Sequence, residues 1–217
     1  LDNIGNKKVL GVYKINDENM EKQNEKKFNN YLLSNLHKFD LVIVSDYGHG
    51  FISKENAKLI CKNSKSVALN AQVNAANIGY HSMRKYNNIN CVIINETEIR
   101  HELRDKNSKI ESLMRKLTSE RKIKNLIVTK GKDGSIIYNS QEKKFDYCPA
   151  LANNDIDKIG AGDAMLSIAA LCLNSNLDRN LSLLLGSLAA AQSVESIGNK
   201  KKIDKFKILK SLDNFIK

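Results

Sequence analysis

Asp157-Lys158-Ile159-Gly160-Ala161-Gly162-Asp163 runs straight into an apolar segment in which Met165, Ile168, Ala169 and Cys172 recur at helical spacing. Glycine, alanine and glycine at a helix start leave backbone N–H groups uncovered. The unpaired donors of the first turn and the helix dipole then favour an anion at that point. Asp163 is an unusual neighbour for such a site, because a carboxylate repels a phosphate unless it has work to do there. Taking a proton from an attacking hydroxyl is one such task. The other reading of these seven residues is an ordinary glycine-rich turn closed by an acidic first-turn residue.

Outward from this stretch, strand-like and helix-like patterns alternate. Residues 8–13 read as a short strand and 18–36 as a mostly polar helix. Asp40-Leu41-Val42-Ile43-Val44-Ser45 is a near-continuous apolar run, as expected of a strand buried on both faces. A helix over 54–62, a strand over 66–69, an Asn-rich loop over 70–77 and a strand over 91–94 follow. The stretch 96–120 reads as helical with a break near Lys106-Asn107, and 126–129 reads as another buried strand. Gly131 and Gly134 mark a turn, after which 135–138 pairs back with 144–147. Helices over 161–173 and 181–194 and a short tail helix end the chain. Such alternation predicts an α/β layered fold with a mostly parallel central sheet flanked by helices.

At 217 residues the chain makes one domain, 1–217, with neither an internal repeat nor a dividing linker. A hydrophobic content of 41% and a charged content of 27% fit a soluble globular protein. No apolar run approaches the length of a membrane span, and Leu1-Asp2-Asn3 has no signal-peptide layout. Cys61, Cys91, Cys148 and Cys172 form no Cys-x-x-Cys pair and read as reduced, mostly buried thiols of a cytoplasmic protein. His37, His49, His81 and His101 show no ligand spacing with them, which argues against structural zinc. The formal charge of +11 suits an anionic substrate or a nucleic acid. Interleaved aromatics and Trp are absent, however, so a nucleic-acid partner finds no support beyond charge.

In open α/β sheets ligands bind beyond the carboxyl ends of the strands, and three polar groups fall there. Asp46-Tyr47-Gly48-His49-Gly50 follows the strand ending at Ser45, and its glycines either admit a ligand or make a tight turn. Asn95 and Glu98 open a helix and share a face, so they can hold magnesium through its waters. Plain capping, with Asn95 as N-cap and Glu98 as its partner, explains the same pair. Lys130-Gly131-Lys132-Asp133-Gly134, after Thr129, either passes beneath a nucleotide or is a hairpin turn.

In chain order, these elements read strand–Asn-x-x-Glu, strand–Thr-x-Gly-x-x-Gly, Gly-Ala-Gly-Asp on a helix, then a helix containing Ala189-Ala190-Ala191. That order resembles the PfkB/ribokinase family of carbohydrate kinases from about Asp40 to near the C-terminus, which implies a ribokinase-like fold. Ser45-Asp46-Tyr47-Gly48-His49-Gly50 is similar to the Ser-Asp-Tyr-Gly-Lys-Gly segment of heptose-phosphate kinases, the kinase half of bifunctional ADP-heptose synthesis enzymes. Lys130 stands where those proteins carry Arg.

The resemblance implies ATP-dependent phosphorylation of a sugar or sugar phosphate. Asp163 would be the base, with the N–H groups of Gly160, Ala161 and Gly162 stabilising the transferring phosphoryl. Asn95 and Glu98 would position Mg²⁺. Thr129, Lys130, Gly131 and Gly134 would line the nucleotide site, with Ala190, Val194 and Ile197 near adenine. Asp46 and Gly48 would meet the substrate, and Asp157 would hold a monovalent cation such as K⁺. Protein partners under the resemblance are a second copy, giving a homodimer, and a fused or separate nucleotidyltransferase. The chain departs from the pattern at Lys158, where Thr is usual, at His49, where heptose kinases have Lys, and at Asn70-Ala71-Gln72-Val73-Asn74, which replaces Asp-Pro-x-x. It has no Gly-Gly pair and starts inside the family pattern, so it is expected to be truncated at its N-terminal, sugar-binding side. The alternatives to a heptose-phosphate kinase are a kinase for a different sugar and a non-catalytic nucleotide-binding remnant.

Overall fold

The computed structural model describes residues 18–72, 81–152, 159–195 and 202–216. The expected strand over 8–13, the loop residues Val73 and Asn74, and Asp157, Lys158 and Ile197 lie outside these. Six strands form one sheet in sequence order: β1 (Val42–Asp46), β2 (Val67–Ala71), β3 (Ile89–Asn95), β4 (Ile123–Thr129), β5 (Ser135–Asn139) and β6 (Lys144–Cys148). β1 to β4 are parallel, and β5 and β6 turn back as antiparallel neighbours. The described helices are α1 (Lys22–Asn35), α2 (Lys54–Asn63), α3 (Glu96–Leu103), α4 (Ile110–Arg121), α5 (Ala161–Asn174), α6 (Arg179–Val194) and α7 (Lys205–Ile216).

The two-residue alternation of the strands sorts their side chains into two cores. Val44, Leu69, Val92, Ile94, Leu126 and Val128 face a cluster with Ile60 of α2, Ile99 of α3 and Leu113, Met114 and Leu117 of α4. Ala68, Cys91, Ile93 and Ile127 face the opposite way, against Met165, Leu166 and Ala169 of α5 and Leu183 of α6. Both faces of β2, β3 and β4 are covered, which is why these strands read as apolar runs, whereas β1, expected to be buried on both faces, is the edge strand and leaves Ile43 42% exposed. Each Leu, Ile or Val buried this way contributes about 1.5–3 kcal/mol relative to exposure. α5 and α6 pack closely because Gly186 lacks a side chain. A β-carbon there would lie 2.9 Å from Ala169 Cβ.

β2 extends beyond its expected end, and the break expected near Lys106-Asn107 is present. β2 runs on to Ala71 because it pairs in register with β1, Ser45 opposite Asn70 and Asp46 opposite Ala71, so Asn70 ends a strand rather than opening a loop. The 96–120 stretch divides into α3 and α4. Arg104 adopts a left-handed conformation (φ 52°), and Asp105 then accepts hydrogen bonds from the Asn107 and Ser108 N–H groups. All four cysteines are free thiols, Cys91 and Cys148 buried and Cys61 and Cys172 half-buried. No helix among the described residues is long and apolar enough to cross a membrane.

Candidate active site

Because β1 to β4 run parallel, Asp46, Ala71, Asn95 and Thr129 all end at one edge of the sheet. The start of α5 faces that edge, and between them lies a cleft of about 730 Å³. Asn95, Glu98, Thr129, Gly131, Gly134, Gly160, Ala161, Gly162, Ala190 and Val194 all line it. Residues predicted from four separate parts of the sequence thus meet in one place.

At the middle of the sheet Asn95 and Glu98 form a reciprocal cap. The Glu98 N–H donates to Asn95 Oδ1 at 2.8 Å, and the Asn95 N–H donates to Glu98 Oε2 at 2.7 Å. The capping reading is therefore satisfied, and the same bonds fix both side chains at the cleft wall. On the next strand Thr129 stands in register with Asn95. The turn after it is closed by the Lys130 N–H donating to the Gly134 oxygen at 2.8 Å. Lys132, not Lys130, lines the cleft beyond this turn. Gly134 is obligatory for a double reason: its φ is +82°, and a β-carbon would lie 2.1 Å from the Cys148 oxygen. Opposite, Ser187 of α6 pairs with Ser135 through their hydroxyls at 3.1 Å, holding that helix against β5.

α5 begins at Gly160, whose φ of 85° turns the chain into the helix. The first helical bond runs from the Ala164 N–H to the Gly160 oxygen at 2.9 Å, so the N–H groups of Ala161, Gly162 and Asp163 precede it. A β-carbon on Gly162 would sit 3.2 Å from Asn70 Nδ2 and 3.9 Å from Gln72 Nε2. Asn70 is buried in the cleft wall, and among the described residues its Oδ1 has no hydrogen-bond partner. Asp163, one residue on, accepts from Ser45 Oγ at 2.7 Å on Oδ1 and from Tyr47 Oη at 2.8 Å on Oδ2.

Asp46 requires a correction as a direct substrate ligand. Successive residues of a strand face opposite ways, so Ser45 and Asp46 cannot both point toward α5. Asp46 turns to the α2 side with Val44 and is only 4% exposed. Its carboxylate accepts from Tyr86 Oη at 2.7 Å and from the Gly48 N–H at 2.9 Å, and it pairs with Lys85 Nζ at 2.7 Å. Burial pushes this carboxyl upward, but the bonds from Lys85, Tyr86 and Gly48 outweigh it and hold the group below the usual carboxylate range. Gly48 is likewise structural. Its φ is 72°, and a β-carbon would lie 2.5 Å from the His81 ring. The pair organises the turn that presents Tyr47, and Tyr47 lines the cleft in their place.

The donor set suits magnesium. One buried carboxylate, Glu98, and the Asn95 amide line a cleft wide enough for solvent and are the two residues that could hold such an ion. A site with so few protein oxygens fits an ion that keeps most of its water. The residues that sequence reasoning did not single out are Ser45, Tyr47, Asn70, Gln72, Lys132 and Ser187. For Ser45 the usable signal is strand alternation within Val42–Asp46. For Asn70 it is the extent of β2, which only pairing with β1 defines.

The profile of the pfkB family carbohydrate kinases matches residues 12–205. The chain is 28% identical over 164 residues to the bifunctional protein HldE of Campylobacter fetus, covering 74% of this chain and 34% of that protein. It is 25% identical over 183 residues to an uncharacterized sugar kinase of Buchnera aphidicola, covering 82% of this chain and 56% of the relative. Among solved structures, phosphofructokinase-2 from Escherichia coli in complex with potassium superimposes with a TM-score of 0.73 at 12% identity, covering 91% of this chain and 63% of that one. Arabidopsis thaliana ribokinase complexed with ribose and ATP gives 0.68 at 20% identity, covering 90% and 60%. At these identities the structural likeness establishes the fold. The chain spans about a third of the HldE relative and somewhat over half of the sugar kinase.

Proposed function

The chain belongs to the pfkB family of carbohydrate kinases, and on that premise we propose that it transfers the γ-phosphoryl group of ATP to a hydroxyl of a sugar phosphate, a heptose phosphate foremost. The observation that carries the proposal is the placement of Asp163. It sits in the first turn of α5, directly after Gly160, Ala161 and Gly162, which line the cleft together with Asn95, Glu98 and Thr129. The heptose assignment rests on likeness to bifunctional HldE proteins and on the Ser45–Gly50 segment.

In this mechanism the acceptor hydroxyl donates to Asp163, which takes its proton as the oxygen attacks the γ-phosphorus and the bond from that phosphorus to the departing ADP breaks. The N–H groups at the Gly160–Gly162 turn are aimed at the charge that develops on the phosphoryl oxygens. Fixed donors of this kind need no reorganisation during reaction. Asn95 and Glu98 would hold Mg²⁺ through its waters, and the ion would neutralise phosphate charge when bound. Thr129 and the Gly131–Gly134 turn form the nucleotide floor, while Ala190 and Val194 offer an apolar wall for the base. Lys132 supplies a cation at the cleft rim.

Two measurements on one preparation test the proposal: calorimetric titration with Mg-ATP, and phosphorylated product formed from a heptose phosphate beside a panel of other sugars. Saturable nucleotide binding and turnover with the heptose phosphate are expected. Turnover confined to another sugar would remove the heptose assignment, and no binding at millimolar Mg-ATP would remove the kinase assignment.

A further inference from the structure

The two carboxylate oxygens of Asp163, the base in the reading above, are held by unlike partners. Oδ1 accepts from Ser45, which lies inside β1 and is paired in register with Asn70 of β2. Its backbone is fixed by the sheet, and although Ser45 is exposed it is not among the residues that line the cleft. Oδ2 accepts from Tyr47, one residue beyond the end of β1. Tyr47 is 41% exposed and lines the cleft. The backbone on either side is anchored, since buried Asp46 binds the Gly48 N–H at 2.9 Å. A displacement of Tyr47 is therefore a rotation of its side chain, not a movement of the turn. Burial, and then the Asp163 carboxylate, raise the pKa of the phenol, so it remains protonated and a donor.

An acceptor hydroxyl has to donate to Asp163 before it gives up its proton, and it arrives through the cleft. Of the two hydroxyls bonded to Asp163, that of Tyr47, a residue lining the cleft, is the one on Oδ2. We infer, resting on the assignment of Asp163 as the base, that Tyr47 gates it: the phenol hydroxyl keeps Oδ2 until a sugar hydroxyl replaces it, and so keeps water from being activated against bound ATP. Ser45 is the positioning residue that holds the carboxylate through the exchange. A sugar can displace Tyr47 because one hydroxyl bond is exchanged for another while the rest of the sugar adds contacts of its own. A water molecule makes the same single bond and adds nothing else. Without the gate, water would donate to Oδ2, its oxygen would attack the γ-phosphorus as the bond to ADP broke, and Asp163 would take the proton, leaving ADP and phosphate.

The test is Mg-ATP hydrolysis without sugar by the parent chain, Tyr47→Phe and Ser45→Ala, with Mg-ATP affinity and thermal unfolding measured on each. Tyr47→Phe keeps the ring and removes only the donor. Its hydrolysis should rise several-fold at unchanged Mg-ATP affinity, whereas Ser45→Ala should hydrolyse no faster than the parent. A gain of rate is not something that a merely structural role for Tyr47 would produce. Hydrolysis by Tyr47→Phe no faster than by the parent, with Mg-ATP bound equally, overturns the gate. Both variants accelerating alike also overturns it, because the two hydroxyls would then not be distinct. If the parent binds no Mg-ATP, the kinase assignment falls first and the gate with it.

Discussion

Asn70 and Gly162 face each other across the cleft so closely that a β-carbon on the glycine would lie 3.2 Å from the asparagine Nδ2. No φ in the left-handed range distinguishes this glycine, so it is space, not backbone conformation, that excludes a side chain. Gly162→Val would force the Asn70 amide aside and cover N–H groups at the start of α5. A glycine within a helix costs about 1 kcal/mol relative to alanine, which partly offsets the crowding in the fold. The expected outcome is a folded protein with stability within about 1–2 kcal/mol of the parent and Mg-ATP affinity and turnover severely reduced. Calorimetry beside denaturant unfolding checks it. A loss confined to stability would make the turn purely structural.

The buried Asp46 carboxylate makes a pH-dependent contribution to stability. Its pKa is depressed in the fold. The stabilisation is therefore fully present above the pKa of the unfolded chain and is lost as pH falls through the folded value. Asp46→Asn leaves Lys85 without its ion-pair partner, and removal of one member of a buried pair typically costs about 3–5 kcal/mol. Urea unfolding at neutral pH should show a destabilisation of about that order. Repeated at pH values below the ordinary carboxylate range, the gap between parent and variant should narrow. A gap independent of pH would mean that Asp46 contributes through shape alone.

Gly131 and Gly134 separate two reasons for a glycine within one turn. Gly131 has φ +58° and nothing within 4 Å of the position a β-carbon would take, whereas Gly134 has φ +82° and the Cys148 oxygen at 2.1 Å. Gly131→Ala should cost about 1–2 kcal/mol, the ordinary left-handed penalty. Gly134→Ala should cost clearly more, because β6 must move away from the turn. Chemical unfolding of the two variants side by side checks the order. Equal costs would show that the β6 backbone yields easily.

The fold is legible because burial on both faces writes itself directly into sequence. Leu126 to Val128 are apolar without interruption and are buried in a covered sheet, whereas Leu41 to Val44 read the same way although β1 lies at the sheet edge with Ile43 42% exposed. The turn proposed to bind an anion is legible for a similarly local reason, since Gly160, Ala161 and Gly162 have no bulk to hide their N–H groups. The polar lining is legible only where a motif spans three or four residues, as with Asn95 and Glu98. Ser45 and Tyr47 lie 118 and 116 residues from Asp163, and nothing local in either segment announces their contact. Asp46 reads as a substrate ligand only through the resemblance of the Ser45–Gly50 segment to heptose-phosphate kinases. Its partners Lys85 and Tyr86 lie about 40 residues further on, so the network that buries it is also non-local.

Asp163→Asn distinguishes a base from an anion-binding turn. The amide keeps the size of the side chain and can still accept one bond from Ser45 or Tyr47, so stability should change by no more than about 1 kcal/mol, the net worth of one hydrogen bond. It cannot accept a proton. A positioned base typically contributes on the order of a hundred- to ten-thousand-fold in rate, and phosphoryl transfer to a heptose phosphate should fall by about that factor. Mg-ATP binding should hold or tighten slightly, because the variant removes carboxylate–phosphate repulsion at the start of α5. In energetic terms the change belongs to the transition state, so turnover falls while nucleotide affinity does not. Product formation and nucleotide titration on the same preparation check both halves. Turnover equal to the parent's would show that Asp163 takes no proton and that the Gly-Ala-Gly-Asp turn serves only to bind phosphate.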